Sequence, residues 1–202
     1  MANSELSVVR QVLTESRDVL DRALEDTALQ ATVVQIAAAW TDAFRAGGKV
    51  LLCGNGGSAA DAQHIAGELI SRFLFDRAPL PAIALTVDTS VLTAIGNDYG
   101  YEHTFSRQVT GLGLPGDVLV GISTSGRSPN IIAALRAARE AGLVTIGFTG
   151  NNGNCPMGEY CDLLLRVPSP STPLIQQVHI TVGHIVCQIV EQTLFGASGA
   201  AT

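Results

Sequence analysis

The sequence predicts an α/β fold in which a buried parallel sheet is covered by helices on both faces. Three observations carry this. Short, continuously apolar runs recur after residue 48 instead of alternating runs, as strands buried on two faces require. Segments with helical spacing separate them. Many of the 21 glycines fall where the runs end, which suits tight strand-to-helix turns.

The elements follow in order. The first 46 residues read as two helices. Val8, Val9, Val12, Leu13, Val19 and Leu20 recur at helical spacing, Thr32 to Phe44 continues the pattern, and Gly47-Gly48 stops it. This hairpin has an apolar face that needs a partner, either the rest of the domain or a second subunit. Strands are expected at 49–53, 82–86, 117–122, 144–149 and 163–167. Helices are expected at 59–73, 89–95, 101–111, from Pro129 onward, and at about 173–195. Pro129 suits the first helical position. Residues 150–160 read as a loop or a short irregular helix, and the tail 197–202 as frayed. The whole chain, 1–202, reads as one domain: a helical hairpin over 1–47, then an α/β core with a C-terminal helix over 48–196.

Composition narrows the function classes. Net charge is −6, with no basic run and no stripe of basic and aromatic residues, which argues against nucleic-acid binding. The first residues lack a basic, then apolar, leader pattern, and no stretch approaches eighteen apolar residues, so neither a signal peptide nor a membrane span is expected. Cys53, Cys155, Cys161 and Cys187 form no CxxC pair, and free thiols in a reducing cytoplasm are the plain reading.

Two loops carry binding chemistry. Gly54-Asn55-Gly56-Gly57-Ser58 follows the first strand, and Ser123-Thr124-Ser125-Gly126-Arg127-Ser128 follows the third. Each opens a helix, whose unpaired N–H groups attract anions. Glycine lets the backbone approach an anion, and the hydroxyls add donors. Neither loop is a P-loop or a dinucleotide fingerprint, so no nucleotide cofactor is expected. A hydroxyl-rich loop without lysine suits the compact phosphate of a sugar ester.

His64 and Glu68 stand four apart on the following helix, hence roughly 40° apart on one face, with Asp61 one turn upstream. Gln176 and His184 stand eight apart on the last helix, about 80° apart, with His179 between them. Such an i,i+4 pair is more often a solvated surface pair, and a histidine on an apolar helix is more often a core residue. Their position beyond a phosphate loop favours chemistry. A carboxylate and an imidazole can move a proton between adjacent carbons. Alternatively, His64, Glu68, Gln176 and His184 can hold Zn²⁺, with Asp61 orienting His64. Glutamine is an uncommon zinc ligand, and both uses stay open.

At these residues the sequence resembles the phosphoheptose isomerases of the SIS (sugar isomerase) family, which start heptose synthesis for bacterial surface polysaccharides. The matching stretches are 53–64 (CGNGGSAADAQH), 93–99 (TAIGNDY), 121–126 (GISTSG) and 175–184 (IQQVHITVGH). The resemblance implies a three-layer, flavodoxin-like α/β/α fold with a five-stranded parallel sheet, assembled as a cytoplasmic homotetramer. It implies conversion of sedoheptulose 7-phosphate to a glycero-manno-heptose 7-phosphate. Gly56, Gly57, Ser58, Ser123, Thr124, Ser125 and Ser128 would hold the phosphate end, and Asn55, Arg72, Asp98 and Gln176 would line the sugar. Glu68 and His184 match the family's proton-transfer pair, and some members bind zinc at positions matching His64, Glu68, Gln176 and His184. Some relatives carry an acidic residue three before the glutamine, where this chain has Pro173 after Thr172. The resemblance extends to non-enzymatic proteins of the DnaA initiator-associating type, which tend to lack the equivalents of Glu68 and His184. It extends also to sugar-phosphate-sensing regulators, which usually carry a DNA-binding domain. Whether one subunit supplies both Glu68 and His184 is left open.

Overall fold

A computed structural model describes residues 2–196, with side chains from Ser4 onward; the tail expected to fray lies outside the described residues. The hairpin consists of α1 (Ala2–Glu25) and α2 (Thr27–Arg45). Asp26 separates them as an N-cap, its carboxylate accepting from the Leu29 N–H, which satisfies one unpaired donor of the new helix. There follow β1 (Val50–Gly54), α3 (Gly57–Ile70), β2 (Ala82–Ala84), α4 (Thr89–Asp98), α5 (Ser106–Leu112), β3 (Val118–Ile122), α6 (Pro129–Glu140), β4 (Val144–Gly150), β5 (Leu163–Val167) and α7 (Thr172–Phe195). Short 3₁₀ turns occupy Tyr101–His103 and Pro156–Tyr160.

All strand pairs are parallel, in the order β2-β1-β3-β4-β5. This is the flavodoxin-like order, with its topological switch between β1 and β3. Alternate side chains divide the core in two. Val50, Leu52, Val118 and Val120 pack with α2, α3 and α7. Leu51, Cys53 and Leu119 pack with α5 and α6 on the other face. Every residue of β1 and β3 is buried, which explains their unbroken apolar sequence.

Two expected elements are corrected. The helix expected over 101–111 is divided: a 3₁₀ turn ends at His103, and α5 starts only at Ser106. The Gln108 side chain donates to both the Thr104 and Leu85 carbonyls, tying the junction to the strand side. The helix expected to reach Phe73 stops at Ile70, and residues 71–81 form an irregular segment. Pro129 does occupy the first position of α6.

Among the described side chains of α1, only Val19 is buried. Leu6, Val9, Val12 and Leu13 are about half exposed or more (55%, 53%, 48% and 65%). The hairpin's apolar face is therefore only partly covered by its own chain. The four cysteines are free. Among the described residues no helix is long and apolar enough to cross a membrane.

Candidate active site at the sheet switch point

Because β1 and β3 are neighbours, with Cys53 opposite Gly121 and Gly54 opposite Ile122, the two loops that follow them emerge side by side. The turn after β1 needs glycine in two ways. Gly56 has φ +55°, in the left-handed region. A Cβ on Gly57 would overlap the Gln176 carboxamide, which lies directly against it. Ser58 is buried, and its hydroxyl forms no hydrogen bond among the described residues.

The second loop turns at Gly126, φ +68°. Its hydroxyls face one another: Ser123 Oγ lies 2.9 Å from Ser128 Oγ and 3.5 Å from Ser125 Oγ. Ser125 Oγ also accepts from the Arg127 N–H. Thr124 is held by its carbonyl, which accepts from Gly150 N–H and the Asn152 side chain. Such a cluster offers several hydroxyl donors to one anion at the mouth of α6.

The loops are tied together by two residues that face each other. Asn55 Nδ2 donates to Asn130 Oδ1 and Asn130 Nδ2 donates to Asn55 Oδ1, both at 2.9 Å. The Tyr101 hydroxyl donates to Asn55 Oδ1 at 3.1 Å. Asn55, Tyr101, Glu102, Ser128, Pro129 and Asn130 line a cleft of about 300 Å³, the lower end of the size range of small-molecule sites. Asn130 and Tyr101 were not among the residues expected from sequence. The available signal was a polar side chain in the first turn of α6, just beyond the hydroxyl loop.

The candidate acid–base residues meet farther along α3. His64 Nε2 lies 2.9 Å from His184 Nε2 and 3.1 Å from Glu68 Oε1. One donor atom from each of His64, Glu68 and His184 falls within 4.8 Å of the others. All three belong to one chain. The fourth nominated residue, Gln176, sits beside Gly57, seven residues before His64 on α3, roughly 10 Å along the helix axis. The structure thus gathers three of the four nominated donors at one point.

The remaining candidates divide. Asp61 forms no hydrogen bond to His64; among the described residues its Oδ2 has no partner. Burial pushes its carboxyl above the ordinary range, and His64 partly opposes that. His179 is 1% exposed and packs against Phe148, its Nε2 3.3 Å from the Thr149 carbonyl oxygen. Burial lowers it to about 4, so it is a neutral core residue. Asp98 is exposed and accepts from Asn97. Arg72 is exposed and forms no ion pair among the described residues.

Comparison with known proteins gives the family. The SIS domain family model matches residues 12–150. A phosphoheptose isomerase of Burkholderia pseudomallei (strain 1710b) is 59% identical over 196 residues, covering 97% of this chain and 99% of that one. The structure of a phosphoheptose isomerase from Neisseria gonorrhoeae superposes with a TM-score of 0.86 at 44% identity, covering 93% of this chain and 98% of that one. One from Francisella tularensis superposes at 0.88 with 38% identity and the same coverage. Hydroxyl loops at the switch point, a two-histidine and carboxylate cluster, and full-length similarity lead to one assignment: the chain belongs to the SIS-domain family, among the phosphoheptose isomerases.

Proposed function

We propose that this chain isomerises sedoheptulose 7-phosphate to D-glycero-D-manno-heptose 7-phosphate, a ketose-to-aldose conversion through an enediol that opens heptose synthesis for lipopolysaccharide or another surface polysaccharide. The observation that carries this reading is the meeting of Glu68 with His64 and His184 in one chain, on α3, which opens from the first loop, and on α7, whose Gln176 lies against Gly57 of that loop. A substrate anchored by phosphate at Ser58, Ser123, Thr124, Ser125 and Ser128 extends its carbonyl end along α3 toward that cluster. Asn55, Arg72, Asp98 and Gln176 are assigned to its hydroxyls.

In this reading Glu68 removes the proton from the carbon beside the ketone and returns it to the neighbouring carbon. His184 donates a proton to the former ketone oxygen, where negative charge develops, and takes back the proton of the neighbouring hydroxyl as that oxygen becomes the aldehyde. The loops hold the reacting carbon against Glu68, turning a bimolecular encounter into a positioned one.

The donor set also fits Zn²⁺. Tetrahedral zinc with bonds of about 2.0–2.1 Å keeps its donor atoms roughly 3.3 Å apart, and here the separations from His64 Nε2 are 2.9 and 3.1 Å. His64, Glu68 and His184 would hold the ion; for Gln176 to serve as the fourth ligand, its carboxamide would have to leave Gly57. Bound there, zinc supplies Lewis-acid polarisation of the substrate oxygens. Two imidazole nitrogens facing each other cannot both carry a proton between them, so His64 presents His184 with either a lone pair or a proton.

The chain is also assigned to a cytoplasmic homotetramer. Supporting this are the exposed apolar residues of α1 and a groove of about 510 Å³ between α1, α2 and α7, which includes Leu24, Val34 and Ile185. Measured by light scattering, the mass should be four times that of the 21.0 kDa chain.

The deciding experiment is an isomerase assay on sedoheptulose 7-phosphate with added Zn²⁺ and after chelation. Aldose formation supports the reading, and a zinc requirement supports the metal set. Folded tetramer that forms no aldose in either condition would sink the enzyme reading in favour of a non-enzymatic interaction protein of the DnaA initiator-associating type.

A further inference from the structure

The irregular segment 71–81 holds a fully desolvated ion pair. The Arg77 side chain is 2% exposed and that of Glu191, on α7, is 0% exposed. The Glu191 carboxylate accepts from Arg77 Nε at 3.0 Å, from the Phe73 N–H at 3.0 Å and from the Leu74 N–H at 2.8 Å. Arg77 also donates to the carbonyls of Leu69 at 2.7 Å, Glu68 at 2.9 Å and Ala78 at 3.0 Å. A buried pair is weak support for stability, because desolvating two charges offsets much of their attraction. What this one does is fix geometry.

Both of its ends reach the cluster. Arg77 holds the main chain of Glu68 itself, in the last turn of α3. Glu191 holds the backbone of Phe73, whose ring stacks on His184 with centroids 5.5 Å apart and planes at 26°. Glu191 lies seven residues beyond His184, two turns along the same helix. The stacked ring limits rotation of the imidazole that approaches His64.

We propose that Arg77 and Glu191, acting through Phe73, are positioning residues for the His64–Glu68–His184 cluster. They orient the His184 ring from behind and anchor the helical turn that carries Glu68. The kinetic part of the test rests on the isomerase reading; the spectroscopic part does not.

Three variants test it: Phe73→Leu, which keeps both main-chain bonds to Glu191; Phe73→Tyr, which keeps the ring; and Glu191→Gln, which removes the charge at nearly constant shape. Loss of partners behind a functional histidine costs about 10–100-fold in activity. The expected result is a kcat drop of at least about tenfold in Phe73→Leu and Glu191→Gln. KM should stay within about twofold, because the phosphate loops stand at the other end of α3, and Phe73→Tyr should retain kcat. In NMR at alkaline pH, the His184 carbon-bound ring protons, assigned by their loss in His184→Ala, should move downfield in Phe73→Leu, as a shielding ring has gone. An unmoved His184 resonance in folded Phe73→Leu overturns the proposal, and so does a moved resonance with unchanged kcat. If Glu191→Gln does not fold, Phe73→Leu decides alone. If the wild-type protein forms no aldose, the isomerase reading fails and the resonance alone judges the positioning.

Discussion

The Nε2 atoms of His64 and His184 lie 2.9 Å apart, although 120 residues separate them in the chain. One such nitrogen from each histidine and a Glu68 carboxylate oxygen lie within 4.8 Å of one another. Donors gathered this closely repel unless a proton or a cation lies among them. The expected outcome is one tight divalent site per chain. Replacing His64 by Ala should weaken zinc binding by at least about a hundredfold, beyond the range for loss of an outer partner. Competition against a chromogenic chelator measures this without relying on activity.

Glu68 bears the heaviest chemical assignment. Glu68→Gln keeps the shape and removes the base, so turnover should fall by at least about a hundredfold. Near-normal turnover would remove Glu68 as the base. Solvent deuterium incorporation into unreacted sedoheptulose 7-phosphate should fall in parallel.

Gly57 and Gln176 share one space. A methyl at position 57 has nowhere to go unless the carboxamide moves. Gly57→Ala should destabilise the fold by about 1–3 kcal/mol, the usual scale of overpacking. Gln176→Ala should relieve part of that cost, so a double-mutant cycle should show coupling of about 0.5–3 kcal/mol. Strict additivity in urea titrations would mean that the two do not touch.

His179 makes stability depend on pH. Its folded value is lowered from an ordinary 6.5 to about 4 by burial, so the unfolded chain binds the proton more readily. The neutral form's contribution is fully present above 6.5, is lost as pH falls from 6.5 to about 4, and changes no further below that. The span corresponds to about 3 kcal/mol. Urea unfolding of wild type and His179→Gln across this window should show a steeper acid slope for wild type. Parallel slopes would refute the assignment.

Asp117 adds an acid limit of its own. Burial alone would raise its carboxyl, but Lys49 and the Leu114 and Lys49 N–H groups outweigh that and hold it below the usual range. Its contribution is present above the unfolded value near 3.9 and is lost as pH falls through the lower folded value. Asp117→Asn should flatten that part of the acid-unfolding curve.

The sequence by itself determined the local pieces. Unbroken apolar runs such as Leu51-Leu52-Cys53 can only be strands buried on both faces or core helix, and their length and flanking glycines select strands. The i,i+4 spacing of His64 and Glu68 put them on one helical face before any tertiary contact was known. These are short-range properties, set by backbone geometry within a few residues. The division of the 101–111 helix was hidden because the Gln108 side chain reaches the Leu85 carbonyl from 23 residues away. Only the tertiary structure decided which helix faces meet. It brought His184 rather than Gln176 to His64, paired Asn55 with Asn130 across 75 positions, and enclosed Arg77 with Glu191. Such pairings depend on how α3 and α7 pack over the sheet, and no local periodicity encodes the partner of a side chain that is remote along the chain.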